Sequence, residues 1–261
     1  MSPFFHRLIL VSVATAVFFA TVINGNVLYS YGKRFMTSPY PELNYAITKT
    51  WDNQSTTDNA EFQVKFQVVD EFYPHGRGLV VTFEGPYYNE PLISDTVPVD
   101  KPFLGLWNYE VVESFFLGND DEYLEIELGP KGHYVLLLLK GPNNLITYQL
   151  PLTNYTAQCS TVSGRWLGQA YIPGEYFPCN VTRFNSFAIH KSEPHRVHMA
   201  LYPVPQGKYE AADFHRLEAF EPISFGVELN PKCVMGSNSH PHHNLTGSLL
   251  PVEDIPEVVE S

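Results

Sequence analysis

The sequence predicts an all-β fold, an antiparallel β-sandwich, and three observations carry this prediction. Residues 62–69 alternate apolar and polar side chains with the period of two that is typical of a half-buried strand. Residues 123–128 alternate in the same way, and a Gly-Pro-Lys-Gly turn then leads into the apolar residues 133–140, which indicates a β-hairpin. Shorter apolar runs recur at the spacing of roughly 8–12 residues that antiparallel sandwiches show.

Six further apolar runs complete the predicted set of strands. They are residues 79–83, 107–117, 146–150, 165–172, 184–190 and 199–204. One short helix is predicted at residues 213–220, where Asp213 would cap the first turn. In the hairpin, the alternation predicts that Leu124 and Ile126 face the core and that Glu125 and Glu127 face solvent.

The composition fits one domain with one large core. Of the 261 residues, 44% are hydrophobic and 14% are aromatic, which supplies ample apolar surface for burial. We expect the sandwich domain to cover residues 45–234. An extended arm at residues 26–44 would precede it, and a flexible acidic tail at residues 235–261 would follow it.

The first 25 residues have the pattern of a signal peptide. His6 and Arg7 form a short positive region, residues 8–20 are apolar, and Ile23 and Gly25 occupy the −3 and −1 positions of a cleavage site. A signal anchor is the alternative, but the apolar stretch is shorter than the roughly 18 residues that span a bilayer. The sequence therefore predicts a secreted protein with no membrane insertion after cleavage.

Four sequons for N-glycosylation agree with secretion. Their acceptors are Asn53, Asn154, Asn180 and Asn244, each followed two residues later by Ser or Thr with no intervening proline.

The chain has three cysteines, an odd number for an oxidising compartment. Cys159 and Cys179 are close in sequence and flank one predicted strand, so we predict a disulfide between them. Cys233 would then be free, or would form a bridge to another chain.

Charge and motifs exclude several classes of function. The formal net charge of −12 argues against nucleic acids and anionic membrane surfaces as partners, because both need a positive face. The sequence also lacks the nucleophile, zinc-protease and phosphate-loop motifs of common enzymes. We therefore predict that the protein is not an enzyme.

Long ordered motifs link the chain to a family of animal proteins. Residues 106–116 read LWNYEVVESFF, residues 122–133 read EYLEIELGPKGH, and residues 180–190 read NVTRFNSFAIH. Over about residues 45–225, the chain resembles the uncharacterised proteins of the human chromosome 4 open reading frame 33 type. This family has no known activity that the resemblance would imply.

A more remote pattern is similar to family-nine carbohydrate-binding modules. It consists of Trp107, then Glu113 six residues later, then a strand that ends in Pro-x-Gly. In those modules two aromatic rings sandwich a sugar, a carboxylate and an amide bond its hydroxyls, and calcium braces the fold. The resemblance implies Trp107 as a stacking ring, Glu113 as a hydroxyl acceptor and Asn185 as a further polar contact. It leaves calcium open as the one candidate cofactor.

The residue types alone do not decide which aromatic rings would form the sugar site. Flat apolar rings and planar polar groups are what sugar recognition requires. Tyr109, Tyr87, Tyr88 and Trp166 could supply rings beside Trp107, whereas β-sandwiches often bury their tryptophans between the sheets.

No metal site is predicted. The acidic run at residues 120–122 could ligate calcium, and the histidine groups at residues 195–198 and 240–243 could hold zinc or copper, but solvated loops explain them equally well.

The sequence as a whole predicts a secreted, non-catalytic binding module for carbohydrate. A first alternative is a module that binds a secreted or cell-surface protein, with Trp107 in the core and Cys233 linking two chains. A second is a glycoside hydrolase that uses Glu125 and Glu127.

Overall fold

The computed structural model describes residues 18–23, 26–31, 38–72 and 76–234. The chain divides into two compact units, residues 1–37 and residues 38–261. In the first unit, strand β1 (Phe18–Ile23) pairs antiparallel with strand β2 (Asn26–Tyr31). The predicted cleavage point after Gly25 and the predicted tail from residue 235 lie outside the described residues.

In its described residues, the second unit has thirteen strands and one short α-helix. In chain order these are β3 (Glu42–Ile47), β4 (Lys49–Thr50), β5 (Phe62–Phe72), β6 (Gly76–Pro86), β7 (Val111–Leu117), β8 (Glu122–Leu128), β9 (Tyr134–Lys140), β10 (Leu145–Thr147), β11 (Tyr155–Ser160), β12 (Arg165–Pro173), β13 (Arg183–His190), β14 (Val197–Ala200), β15 (Glu221–Pro222) and α1 (Pro231–Val234).

The strands form two antiparallel sheets. The five-stranded sheet has the order β11-β12-β6-β5-β3, and the eight-stranded sheet has the order β10-β9-β8-β7-β13-β14-β4, with β15 paired to β13. The predicted sandwich is confirmed. Because β3 begins at Glu42, the sheet includes residues that the sequence placed in the extended arm.

Aromatic rings fill the space between the two sheets. Phe66 of β5 lies with its ring centroid 5.1 Å from that of Phe116 on β7 and 5.7 Å from that of Phe184 on β13, in edge-to-face geometry. The predicted alternation of β5 is confirmed, because Phe62, Val64, Phe66 and Val68 are all buried in this core. Trp166 is buried there too and offers no ring to solvent.

The other face of the eight-stranded sheet is also covered. Every residue of β7 and β8 is buried. The segments at residues 92–110 and 203–220 pack on this face, and Phe214 stacks on Phe187 with ring centroids 3.9 Å apart. The predicted solvent exposure of Glu125 and Glu127 is therefore wrong, because both side chains lie under these segments.

Helical structure is sparse in the described part of the chain. The helix predicted at residues 213–220 is reduced to one 3₁₀ turn, Leu217–Ala219. Among the described residues, no helix is both long enough and apolar enough to cross a membrane.

The disulfide differs from the predicted one. Cys179 is bonded to Cys233, with their Cα atoms 5.6 Å apart, and Cys159 is an exposed free thiol. The predicted pairing of Cys159 with Cys179 is wrong because the strand between them, β12, holds them apart. Cys159 pairs with Trp166 near the start of β12, and Cys179 comes after its end. At about 3.3 Å per residue, β12 separates them by far more than a disulfide can span.

We expect the Cys179–Cys233 bond to contribute about 4 kcal/mol to the free energy of unfolding, because its sequence separation of 54 closes a long loop in the unfolded chain. Denaturant unfolding of Cys233→Ser should show this loss, and so should the parent under reducing conditions. Cys159→Ser is the matched control and should unfold like the parent. An equal loss in Cys159→Ser would contradict the assignment.

Candidate functional site

The side chains that the family-nine resemblance singles out lie inside the protein. Trp107 is in the 3₁₀ turn Leu106–Asn108 and is 9% exposed, because this turn packs on the outer face of the eight-stranded sheet. Arg196 donates a hydrogen bond to its carbonyl oxygen. The ring is a packing element and is not presented to solvent, so the predicted stacking platform is corrected. Tyr109 is half-buried against Phe103, with ring centroids 5.6 Å apart.

Glu113 and Asn185 are also internal, each 0% exposed. Glu113 lies on β7 directly opposite Glu127 of β8. The Asn185 amide donates to the carbonyl of Tyr202 at 3.0 Å, and its Oδ1 accepts from the amides of Ser186 and Tyr202 at 2.8 and 3.0 Å. Its role is to fasten β13 to the segment after β14. These side chains therefore do not form an open ligand site.

A different group of polar and aromatic residues meets at one end of the sandwich. We call Asp58, Tyr88, Glu110, His190 and Lys191 the tyrosine-end cluster. They meet because β6 and β13 end where β5 and β7 begin, as neighbouring antiparallel strands require. Asp58 precedes β5, Tyr88 follows β6 and Glu110 precedes β7. His190 is the last residue of β13, and Lys191 follows it.

Asp58 is the hub of the hydrogen bonds in this cluster. Its Oδ2 accepts from the Tyr88 hydroxyl at 2.8 Å and from Lys191 Nζ at 2.6 Å. The same Nζ lies 5.0 Å from the centroid of the Tyr88 ring, within cation–π range. Although burial favours the neutral acid, the bonds from Lys191 and Tyr88 hold the pKa of Asp58 well below its usual value. The Asp58 carboxylate is therefore ionised at neutral pH.

Glu110 anchors the loop that carries the tyrosine. Its two carboxylate oxygens accept from the backbone amides of Tyr88 and Asn89 at 3.1 and 2.6 Å. Burial raises the pKa of Glu110 to about 7, against the opposing effect of these backbone bonds. The cleft beside it is lined by Pro91, Ile93 and other residues, and only about 10 Å³ of its volume is accessible to a water molecule. Glu110 therefore positions the loop and has no room for a substrate beside it.

His190 supports the tyrosine ring from behind. It is 0% exposed, and its ring stacks on Tyr88 with centroids 4.2 Å apart and planes 5° from parallel. Burial lowers the pKa of His190 to about 4; Asp58 opposes this shift, and the positive charge of Lys191 adds to it. At neutral pH the imidazole is uncharged and acts as a flat, rigid backing for Tyr88.

The cluster presents a mixed aromatic and ionic surface. Tyr87 and Tyr88 are both half-exposed, and the ion pair between Lys191 and Asp58 is reachable from solvent. The Tyr87 hydroxyl donates to Asn89 Oδ1 at 2.8 Å, which fixes a second ring at the surface. Rings with a carboxylate and an ammonium beside them can hold a neutral polar ligand through its apolar face and its hydroxyls.

Sequence reasoning singled out both tyrosines as candidate rings but missed Asp58 and Lys191. Each of these two lies in a separate loop, and only the pairing of the strands brings them together. The positive φ of Lys191, 65°, marks an unusual backbone position but leaves no signal in the sequence.

The metal sites considered in the sequence do not form in the described part of the chain. No three His, Cys, Asp or Glu side chains converge there in a metal-binding arrangement. Asp120 and Asp121 are exposed in a turn, and Lys140 Nζ lies 3.4 Å from Glu122 Oε1. His195 is exposed. The histidines at residues 240–243 lie outside the described residues.

Comparison with known proteins shows the family. The chain is 43% identical over 192 residues to the UPF0462 protein C4orf33 homolog of Rattus norvegicus, covering 72% of this chain and 90% of the relative. It is 41% identical over 192 residues to UPF0462 protein C4orf33 of Homo sapiens, covering 72% of this chain and 90% of that protein. The chain belongs to the UPF0462 protein C4orf33 family. The predicted resemblance is confirmed.

No family model matches the chain. A solved structure from Bacteroides uniformis, described as a candidate carbohydrate-binding protein, is similar with a TM-score of 0.49 and 12% identity. The similarity covers 69% of this chain and 84% of that chain.

We expect Trp107→Ala to destabilise the fold by about 3–5 kcal/mol, because it removes a large buried ring from the covering segment. Tyr87→Ala, at a half-exposed ring, is the matched control and should cost much less. Urea unfolding of both variants measures the difference. A Trp107→Ala protein as stable as the parent would show that the ring is not a packing element.

Lowering the pH is expected to destabilise the fold. Burial lowers the pKa of His190, His198 and His215 to about 4 each, from 6.5. The unfolded chain therefore takes up protons on them between pH 6.5 and 4 before the folded protein does, and the free energy of unfolding falls across that window. For His190 alone, the shift corresponds to about 3 kcal/mol. Glu110 acts oppositely, because its raised pKa favours the folded state at low pH.

Unfolding of the parent and of His190→Phe at pH 7 and at pH 5 isolates the effect of His190. The parent should lose more stability than the variant, whose ring fills the same space without titrating. His195→Phe changes an exposed histidine and should lose as much as the parent. Equal losses in the parent and in His190→Phe would rule out a neutral buried imidazole.

Proposed function

We propose that the protein is a secreted, non-catalytic binding module that takes carbohydrate at the tyrosine-end cluster. The observation that carries this proposal is the half-exposed Tyr88 ring, braced behind by His190 and joined at its hydroxyl to the Asp58–Lys191 pair. A ring that is held rigidly loses little conformational entropy when a sugar packs on it. An ionised carboxylate and an ammonium beside the ring are strong partners for hydroxyl groups.

Secretion is supported by several independent features. The N-terminal pattern is that of a signal peptide. The Cys179–Cys233 disulfide is of a kind that persists in oxidising compartments. Of the sequon acceptors, Asn53 and Asn180 are exposed and Asn154 is half-exposed, whereas Asn244 lies outside the described residues. We infer that these acceptors carry N-linked glycans.

A binding role is favoured over hydrolysis by the positions of the carboxylates. Glu125 and Glu127 lie buried beneath the covering segments, 2% and 0% exposed, and so are not presented to a sugar chain in solvent. Glu110 has a raised pKa that suits a general acid, but its surroundings leave space for little more than water.

A protein partner is the second candidate, and one observation favours it. The turn between β11 and β12 exposes Val162 almost fully, at 98%, and the adjoining edge strand β11 carries the free thiol of Cys159. Cys233 does not form the interchain bridge considered for it, because it is bonded to Cys179. An interchain disulfide would use the free thiol of Cys159 instead. This function would be favoured if the protein forms dimers without a ligand on a non-reducing gel. The dimers should disappear on a reducing gel and in Cys159→Ser.

A glycan array with the full-length protein, secreted from animal cells, tests the sugar site. We expect Lys191→Met to weaken binding of the parent's ligand by about tenfold or more, because it removes a charged hydrogen-bond donor. Lys65→Met breaks an exposed lysine–glutamate pair on the face of the five-stranded sheet and is the matched control. It should bind like the parent.

Thermal melts confirm that both variants are folded before the binding is compared. Absence of any glycan ligand for the parent would overturn the carbohydrate proposal. Equal binding by Lys191→Met and the parent would show that the sugar does not bind at the tyrosine-end cluster.

A further inference from the structure

A groove lies at the opposite end of the sandwich from the tyrosine-end cluster. It is lined by residues 180–182 and 223–229, and we call it the Asn180 groove. Its volume is about 470 Å³, within the range of sites that hold small molecules. The Cys179–Cys233 disulfide adjoins its first wall and holds the chain there in place.

The lining of the Asn180 groove is apolar below and polar at its rim. Val181 and Val227 are half-exposed and supply the open apolar lining, whereas Phe225 and Leu229 behind them are core residues, 3% and 1% exposed. Ser224, Thr182 and Glu228 supply hydroxyl and carboxylate groups around them. A sugar ring needs the same combination, because it has apolar C–H faces and hydroxyls at its edge.

The groove contains a glycosylation acceptor in its own wall. Asn180, Val181 and Thr182 form a sequon, and both Asn180 and Thr182 are exposed. Asn53 and Asn154, the other sequon acceptors in the described part of the chain, do not line this groove. A glycan on Asn180 would therefore begin at the groove itself.

Asn180 is held in position on both sides. Its backbone amide donates to Glu228 Oε2 at 2.9 Å, and its side-chain Nδ2 donates to Asn119 Oδ1 at 3.0 Å. The Nδ2 of an asparagine has two hydrogens, so one remains after a sugar is attached. The bond to Asn119 can thus persist in the glycosylated protein and fix the direction of the linkage.

We propose that Asn180 carries an N-linked glycan whose first sugars lie in the Asn180 groove and cover its apolar lining. This inference rests on the proposed secretion. In the modification step, Nδ2 forms a bond to C1 of an oligosaccharide and gives up one proton. The bond from C1 to the pyrophosphate of the lipid-linked donor breaks, and the lipid pyrophosphate leaves. The glycan thereby becomes part of the fold at this end.

Variants at Thr182 test the proposal without altering Asn180. Thr182→Ala destroys the sequon, whereas Thr182→Ser preserves it, so the pair differs in glycosylation at nearly constant structure. In the full-length protein secreted from animal cells, peptide mass spectrometry should find a glycan on Asn180 in the parent and in Thr182→Ser, and none in Thr182→Ala. The Tm should fall by about 2–4 °C in Thr182→Ala alone.

Asn154→Gln is the control for general effects of losing a glycan. Its sequon lies at the start of β11, away from the groove, so its Tm should match that of the parent. Amide hydrogen exchange at residues 223–229 supplies a second readout, and should be faster in Thr182→Ala than in Thr182→Ser. If the parent has a glycan on Asn180 but removing it changes neither the Tm nor the exchange, the sugars do not lie in the groove.

Two further outcomes separate this inference from the proposed function. If the secreted parent carries glycans at other sequons and none on Asn180, the inference fails and secretion stands. If the protein is retained in the cell with every sequon unmodified, the proposed secretion fails, and the Asn180 glycan fails with it.

Discussion

The eight-stranded sheet must be covered on both of its faces, and much of the structure follows from this constraint. Its strands carry apolar side chains on each side, so exposure of either face would leave a large apolar surface in water. The five-stranded sheet covers one face. The segments at residues 92–110 and 203–220 cover the other. Once both faces are occupied, the ends of the sandwich and the outer face of the five-stranded sheet remain open to solvent.

The two ends use different means to hold their loops. At the tyrosine end, uncharged His190 and the buried carboxyl of Glu110 position the loop after β6, while the side chains of Asp58 and Lys191 are partly exposed to solvent. At the other end, the disulfide between Cys179 and Cys233 holds the loop before β13, because it joins this loop to the last described residues. The proposed carbohydrate site and the proposed glycan on Asn180 therefore lie at opposite ends of the sandwich.

Strong periodicity made part of the fold predictable. Phe62 to Val69 and the hairpin around Gly129 carry their pattern in consecutive residues, and both form as expected. The covering segments have no such period, so the burial of Glu127 was not predicted, and the sequence left open whether Trp107 lies in the core or in a ligand site. The tyrosine-end cluster escaped for a related reason. Its members are spread over four stretches of the chain, and only long-range strand pairing brings them together.

The strand order also has a consequence for how the chain acquires its structure. The hairpin of β8 and β9 joins residues that are close in sequence. In contrast, Val111 of β7 pairs with Ile189 of β13, and Gly85 of β6 pairs with Trp166 of β12, so these pairs form only when distant parts of the chain meet. Such distant pairings slow folding, because a long loop must close before the contact is gained. Until these pairings form, β9 with its run of four leucines belongs to an incomplete sheet. Its exposed apolar side chains then promote association between chains. The four leucines of β9 remain open to such association until β13 has been synthesised and the sheet is complete.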